Sequence, residues 1–372
     1  MRSLMISVAA GALLATSAIA QQQRESRPPS PAGAQGKGWV APGTPGSPID
    51  GTLFHAQVLL DAAGFSPGVI DGREGSSLKE AIQGFQQSKR MQVTGELDDA
   101  TRQALLSQNR PSTVMVKLTA DDVSGPFVLP FPKKYEQQAD LKFLAYRNML
   151  EKVAERYHTT PETVVALNGP DKLIGEGQTL RLPNVVPQNR DYAGAVDEKQ
   201  SQLLAAYNID GNQPQGDHIV VDKSEGLLRV YRGDPGSSDS KNSKSSTDGG
   251  SSSGSGQLIA QFPVTTGSGH DPLPLGNWKV TTYSFLPPFN FQPDLFWDVS
   301  DDKAEQRLPP GPNGPVGVAW LDLTKEHYGI HGTNEPQNIG KTQSHGCLRM
   351  TNWDVMRLSR MMKPGFQAKF VA

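Results

Sequence analysis

The sequence predicts a multidomain chain: a small three-helix bundle, then a compact α+β module, then a mainly β C-terminal domain. Three observations carry this reading. Between Asp50 and Leu106 apolar residues recur at helical spacing among glycine turns; between Phe143 and Pro183 two helical stretches precede a short β-rich run; from His218 onward β-rich runs replace helical periodicity. The 372 residues accommodate several domains at about 100 to 200 residues each.

The N-terminus opens with Arg2, an apolar run from Leu4 to Ala15 and the small residues Ala18-Ile19-Ala20, the pattern of a secretory signal peptide over residues 1–20. No later segment approaches the roughly 20 apolar residues of a spanning helix, so no membrane span is expected after cleavage. Residues 21–50, rich in Gln, Pro, Gly, Ser and Ala, cannot offset the entropy of ordering and read as a flexible linker. The 36 basic and 38 acidic residues nearly cancel. That balance argues against a global field for nucleic acid or an anionic membrane, and recognition must come from local sites.

In the segment 51–108, Leu78, Ala81, Ile82 and Phe85 form one helical stripe, Phe54, Val58 and Leu59 form another, and Asp98 is the expected N-cap of a helix through Leu106. In the segment 140–186, Phe143, Tyr146, Leu150, Val153, Ala154 and Tyr157 trace a helical face. Thr160 and Pro161 then read as N-cap and N1 of a second helix that stops at Asn168-Gly169, and Thr179 to Pro183 reads as a closing strand. The C-terminal domain, 215–372, begins with a predicted hairpin over His218 to Arg232 and continues through LIAQFPVTTG and NWKVTTYSF, with a helix at Trp353 to Met362. Within it, residues 233–256 are mostly Ser, Gly, Asp and Lys and form a low-complexity insertion.

The chemistry concentrates in GIHGTNEPQNIGKTQSHGCLRM, Gly329 to Met350, which holds the only cysteine, Cys347, with His331 and His345. An unpaired thiol in an exported chain is inert by burial, paired between chains, or kept for reactivity. Cysteine nucleophiles need a thiolate, which a histidine within hydrogen-bond reach can generate. That histidine's other nitrogen must be held by a carboxylate or a carbonyl. Glycine beside the nucleophile lets backbone amides approach a developing oxyanion. Ser344-His345-Gly346-Cys347 contains these parts, and spacing alone leaves either histidine open as the base. A metal site on His331, His345 and Cys347 has suitable atoms, but the neighbouring glycines favour the oxyanion reading, so no metal is expected.

Three resemblances sharpen the expectation. GFSPGVIDGREGSSLKEAIQGFQQSKRMQVTGELDDATRQAL, with its I-D-G turn at Ile70 to Gly72, its A-I-x-x-F-Q run at Ala81 to Gln86 and V-T-G-x-L-D at Val93 to Asp98, resembles a peptidoglycan-binding domain over 51–108. LEKVAERYHTTPETVVALNG followed by GEGQTLRLP resembles a LysM glycan-binding module, although its usual first strand is not evident before Tyr146. G-I-H-G-T at Gly329 to Thr333, I-G at Ile339-Gly340, S-H-G-C-x-R at Ser344 to Arg349 and P-L-P-x-G-x-W-x-V at Pro272 to Val280 resemble the L,D-transpeptidase catalytic family, also called YkuD, from about Asp217 to Val371.

The last resemblance implies an L,D-transpeptidase-like β-sandwich in which Cys347 is the nucleophile, His331 the base with its tautomer fixed by the Gly332 carbonyl, amides near Gly346 and Cys347 the oxyanion hole, and His345 a supporting group. It further implies that Arg349, Ser344, Thr333 and Tyr328 contact substrate. The implied reaction is cofactor-free acyl transfer from peptidoglycan tetrapeptide stems in a Gram-negative periplasm. The acceptor is a second stem giving a 3→3 cross-link, a lipoprotein lysine, or water, the last making a carboxypeptidase. A non-catalytic wall-binding protein would need no such His, Gly and Cys set. A papain-like thiol protease would place its cysteine before its histidine.

Overall fold

The computed structural model describes residues 47, 49–233, 256–296, 299 and 303–372. The expected signal peptide, nearly all of the linker and the body of the low-complexity insertion lie outside the described residues.

Helices α1 (Gly51–Ala62), α2 (Ser76–Ser88) and α3 (Asp99–Leu106) form the first module. Asp50 caps α1 by accepting from the Thr52 and Leu53 amides, and Asp98 caps α3 by accepting from the Thr101 amide at 2.8 Å. The predicted stripes are buried: Phe54, Val58, Leu59, Leu78, Ala81, Ile82 and Phe85. The core of this module does not end at its own helices, because it is continuous with Val220, Tyr231 and Leu258 of the C-terminal sheet.

The second module pairs β1 (Thr113–Lys117) antiparallel with β2 (Thr179–Pro183), Val114 opposite Leu182 and Val116 opposite Leu180. β1 is a strand the sequence left unassigned. After the short helices α4 (Ala120–Val123) and α5 (Tyr135–Ala139) come α6 (Met149–Arg156) and α7 (Pro161–Asn168), which pack on β2. Thr160 accepts from the Thr163 amide, Pro161 takes N1, and Gly169 ends α7 at φ +89°. The helical face expected from Phe143 is shorter than its pattern. Asn148 caps α6 through the Glu151 amide at 2.9 Å, while the Leu144 amide donates to the Pro310 carbonyl at 2.8 Å. That tertiary contact takes the backbone group a helical turn would need.

After α8 (Glu198–Ala206), the C-terminal part builds one hydrogen-bonded eight-stranded array in the order β11-β10-β9-β6-β12-β3-β4-β5. Its strands are β3 (His218–Asp222), β4 (Leu227–Arg232), β5 (Gln257–Pro263), β6 (Gly276–Phe285), β9 (Ala319–Leu323), β10 (Gly329–His331), β11 (Leu348–Arg349) and β12 (Gln367–Val371), with β7 (Phe289–Phe291) and β8 (Gln306–Leu308) paired apart. These strands form two sheets that share β6, one with β12, β3, β4 and β5 and the other with β9, β10 and β11. The first residues of β6 pair with β12 and its later ones with β9, across a register shift between Val280 and Tyr283, so this single strand joins the two halves.

The edge strand β5 is covered. The Ser66 amide donates to the Gln261 carbonyl at 2.9 Å, the Gln261 amide donates to Gly64 at 3.0 Å, and Gln261 Nε2 donates to the Glu80 carbonyl at 2.6 Å. The first module thus removes the exposed ladder that an edge strand would otherwise present.

Helix α9 (Asn352–Met361) buries Trp353, Val355, Met356, Leu358 and Met361 in the core of the sheet domain, each such side chain contributing about 1.5–3 kcal/mol. Its buried polar residues face N-terminal elements. Asn352 reaches Glu155 of α6, Asp354 accepts from the Ser66 hydroxyl at 2.7 Å, Arg357 pairs with Asp61 of α1 at 2.9 Å, and Ser359 receives Gln200 of α8. Burial alone would raise the Asp61 carboxyl, but Arg357 and His158 overcome it and hold it well below the usual range. Burial pushes Asp354 up to about 6 against the pull of Arg357.

Candidate active site

The site lies where β10 and β11 run side by side. These strands are parallel, Ile330 opposite Leu348 and His331 opposite Arg349. Strand alternation then sorts the motif: Ile330, Leu348 and Met350 enter the core, while His331 and Arg349 project to the other face. Cys347, two positions before Arg349, shares that face. Adjacent parallel strands thereby bring together a thiol and an imidazole far apart in sequence.

His331 is 4% exposed, stacked on Trp320 of β9 with ring centroids 5.3 Å apart, and its Nδ1 lies 2.7 Å from the Gly332 carbonyl. A carbonyl only accepts, so Nδ1 carries the proton and Nε2 holds the lone pair. Burial pushes the imidazole down to about 3, Arg349 adds to this, and the Gly332 carbonyl opposes it. The ring is thus neutral at neutral pH, the form a base requires.

Cys347 is half-buried and forms no disulfide; its sulfur lies 3.6 Å from the His327 carbonyl. Burial pushes the thiol up to about 11, against the Gly329 amide and Arg349, which both favour the thiolate. At neutral pH both groups are thus uncharged.

Gly346 sits at φ +94°, and a Cβ there would come within 2.5 Å of Tyr328 Cε1. Glycine is required both by the left-handed backbone and by the ring packed on it. The Gly346 and Cys347 amides precede the β11 ladder, which starts at Leu348. His345 turns its ring edge-on to Phe296, with centroids 4.8 Å apart. Ser344 and Thr333, expected to contact substrate, are both buried. The Ser344 hydroxyl donates to the Cys347 carbonyl at 2.6 Å and Thr333 Oγ1 accepts from the Glu335 amide at 3.2 Å, so both hydroxyls take part in closing the loop. The loop is further tied down by Ser268 donating to the Ser344 carbonyl at 3.0 Å and by the Gly340 amide donating to Thr265 Oγ1 at 2.9 Å.

Residues 252–369 match the family model described as the L,D-transpeptidase catalytic domain, and residues 53–105 match that of a peptidoglycan binding domain. The C-terminal part of the chain is thus similar to L,D-transpeptidase catalytic domains. This domain is similar to the protein named L,D-transpeptidase YkuD of Bacillus licheniformis, 55% identical over 56 residues that make up 15% of this chain and 34% of that protein. It is also similar to the protein named L,D-transpeptidase YbiS of Escherichia coli, 38% identical over 64 residues, 17% of this chain and 21% of that one. The chain spans about a third of the length of the first curated relatives it matches. L,D-transpeptidase 3 of Mycobacterium tuberculosis is 16% identical, over 41% of this chain and 60% of that one, at a TM-score of 0.27, too low to carry an argument.

Two contributors to the candidate site were not singled out from the sequence. Trp320 shields one face of His331, and Asn352 covers Gly332, where a Cβ would overlap Asn352 Oδ1. Neither belongs to the glycine and histidine pattern. Only the antiparallel register, which sets Trp320 opposite His331, makes Trp320 visible.

Proposed function

We propose that this chain is a peptidoglycan L,D-transpeptidase whose nucleophile is Cys347 and whose base is His331. The observation that carries the reading is His331 pinned through Nδ1 to the Gly332 carbonyl on the strand beside Cys347, which leaves Nε2 for the thiol proton. As Sγ attacks the carbonyl of the third residue of a tetrapeptide stem, that proton passes to Nε2, and the amides of Gly346 and Cys347 receive the oxyanion. Collapse breaks the bond to the terminal D-alanine, whose amine takes the proton back from His331, leaving a thioester on Cys347. The amine of a second stem then attacks the thioester, gives its proton to His331, and forms a 3→3 cross-link as the thiolate leaves and is reprotonated.

Arg349, on the same face, is suited to pair with a substrate carboxylate, and Tyr328 packed on Gly346 to line the acyl site. The peptidoglycan binding domain supports a wall substrate, and the β1, α6, α7, β2 order supports a LysM-like glycan-binding role for the second module. Both fit a protein exported to the periplasm, and among the described residues no helix is long and apolar enough to cross a membrane.

The test incubates the protein with purified tetrapeptide stems and follows protein and products by mass spectrometry, beside Cys347→Ala. A thioester adduct and 3→3 dimer, both lost in the variant, are expected. Tripeptide alone would assign a carboxypeptidase. Product formed only when a lipoprotein lysine is supplied would assign an anchoring enzyme. A folded protein with neither adduct nor product would leave a wall-binding protein.

A further inference from the structure

A series of buried contacts links His331 to residues outside the catalytic domain. Its Nδ1–H donates to the Gly332 carbonyl at 2.7 Å. Asn352 Oδ1 lies over the Cα atoms of Gly332 and Gly317, so close that a Cβ at either would overlap it, and it accepts from the Val318 amide at 3.2 Å. The other end of that carboxamide, Nδ2, donates to Glu155 Oε2 at 3.1 Å and to the Pro312 carbonyl at 3.3 Å. Glu155 belongs to α6 in the second module, is 4% exposed, and also receives the hydroxyl of Tyr207 at 3.1 Å and that of Tyr146 at 3.3 Å.

We propose that Glu155 is a positioning residue for His331: by fixing the Asn352 carboxamide it holds Gly332, and with it the carbonyl that sets the base's tautomer. The second module is then part of the catalytic apparatus as well as an accessory to it. This rests on the reading of His331 as the base. Without an acceptor at position 155, the carboxamide can rotate, Oδ1 leaves the Val318 amide, and the Gly332 peptide gains room to tilt. Misplacing a catalytic group by about 1 Å can cost about 100-fold. Burial pushes Glu155 up to about 8, against Asn352 and with Glu151 adding to the rise, so at neutral pH the carboxyl is mostly protonated and is buried without an uncompensated charge.

The test uses the full chain with 15N-labelled histidine, comparing Glu155→Gln, Glu155→Asp and Glu155→Leu with the wild type. Two quantities are read: kcat and KM on tetrapeptide stems, and the ring 15N shifts of His331, which report its tautomer. Glu155→Gln keeps a carbonyl acceptor and is expected to stay within about twofold in kcat with an unchanged tautomer. Glu155→Leu is expected to lose about 10- to 100-fold in kcat with KM within about twofold, and to show mixed tautomers. If that variant fails to fold, Glu155→Asp carries the test, because its retracted carboxyl predicts an intermediate loss. Wild-type kcat and an unshifted His331 in Glu155→Asp, or a Glu155→Gln as impaired as Glu155→Leu, would overturn the proposal. A tautomer change in a protein whose wild type forms no thioester would keep the positioning role and reject the reaction.

Discussion

His158 and His331 are two buried histidines in nearly the same physical setting, and the proposed function gives them opposite roles. Each ring stacks on a tryptophan at 5.3 Å, His158 on Trp353 and His331 on Trp320. Each also lies within 2.7 Å of a backbone carbonyl, of Tyr207 and of Gly332 respectively. The difference is the second nitrogen. His158 Nδ1 faces the Asp61 carboxylate at 3.1 Å, so both ring nitrogens meet acceptors and the ring is a structural tie between the first two modules. His331 keeps Nε2 as a lone-pair nitrogen on the face it shares with Cys347. On the proposed function, burial and stacking do not mark a base; an available nitrogen beside a nucleophile does.

Replacing each histidine should separate the two roles. His331→Ala is expected to slow thioester formation by about 100- to 10,000-fold, the usual contribution of a general base, with the melting temperature nearly unchanged. His158→Ala should do the reverse, lowering the melting temperature while the protein that remains folded acylates within about threefold of the wild type. Equal losses of acylation in both, measured by mass spectrometry at a temperature where both are folded, would end the distinction.

The tie itself can be cut at Asp61. Its carboxylate serves Arg357 at 2.9 Å and His158 at 3.1 Å, all of them buried. Asp61→Ala leaves a buried guanidinium without its partner, which costs about 3–5 kcal/mol. Chemical denaturation should read that loss, and a change below about 1 kcal/mol would mean that water or Asp354 replaces the lost carboxylate.

The two regions also differ in how pH acts on them. Burial raises Glu155 to about 8 and Asp354 to about 6, so the folded chain holds these protons more tightly than the unfolded chain does. Stability then falls as pH rises, through about 4 to 6 for Asp354 and about 4.5 to 8 for Glu155, by about 1.4 kcal/mol per pH unit for each group while it titrates. Asp61, held low, acts with the opposite sign and loses its contribution only in strong acid. Denaturation midpoints between pH 6 and 8 should therefore decline in the wild type and flatten in Glu155→Gln. The active site has its own signature, because a thiol at about 11 should alkylate with iodoacetamide at a rate rising about tenfold per pH unit from 7 to 10. A plateau near neutrality would instead reveal a resting thiolate–imidazolium pair.

The same contrast explains what the sequence made legible. The helical stripes of α1 and α2, the Asp98 and Thr160 caps and the β3–β4 hairpin are local, and each is written in residues a few positions apart. The His331, Gly346 and Cys347 constellation was visible because its backbone demands glycine at fixed places. The polar face of α9 was not visible, because Asn352, Asp354 and Arg357 find their partners in Glu155, Ser66 and Asp61, far away in the chain. A helix that buries charge looks from sequence like one that exposes it. For the same reason the helix expected from Phe143 starts only at Met149, since Leu144 is claimed by Pro310.

Ser344 sharpens the comparison at its smallest scale. Its hydroxyl donates to the Cys347 carbonyl and its backbone is held by Thr266 and Ser268, so its bonds shape the turn ahead of Cys347. Ser344→Ala then removes a neutral hydrogen bond worth about 1 kcal/mol. The loss should fall on kcat for acylation, by severalfold, because the turn loosens around Cys347 while the surface that meets the stem is unaltered. A rise in KM at constant kcat would show that the hydroxyl reaches the stem after all, and would move Ser344 from the scaffold of the site to its binding surface.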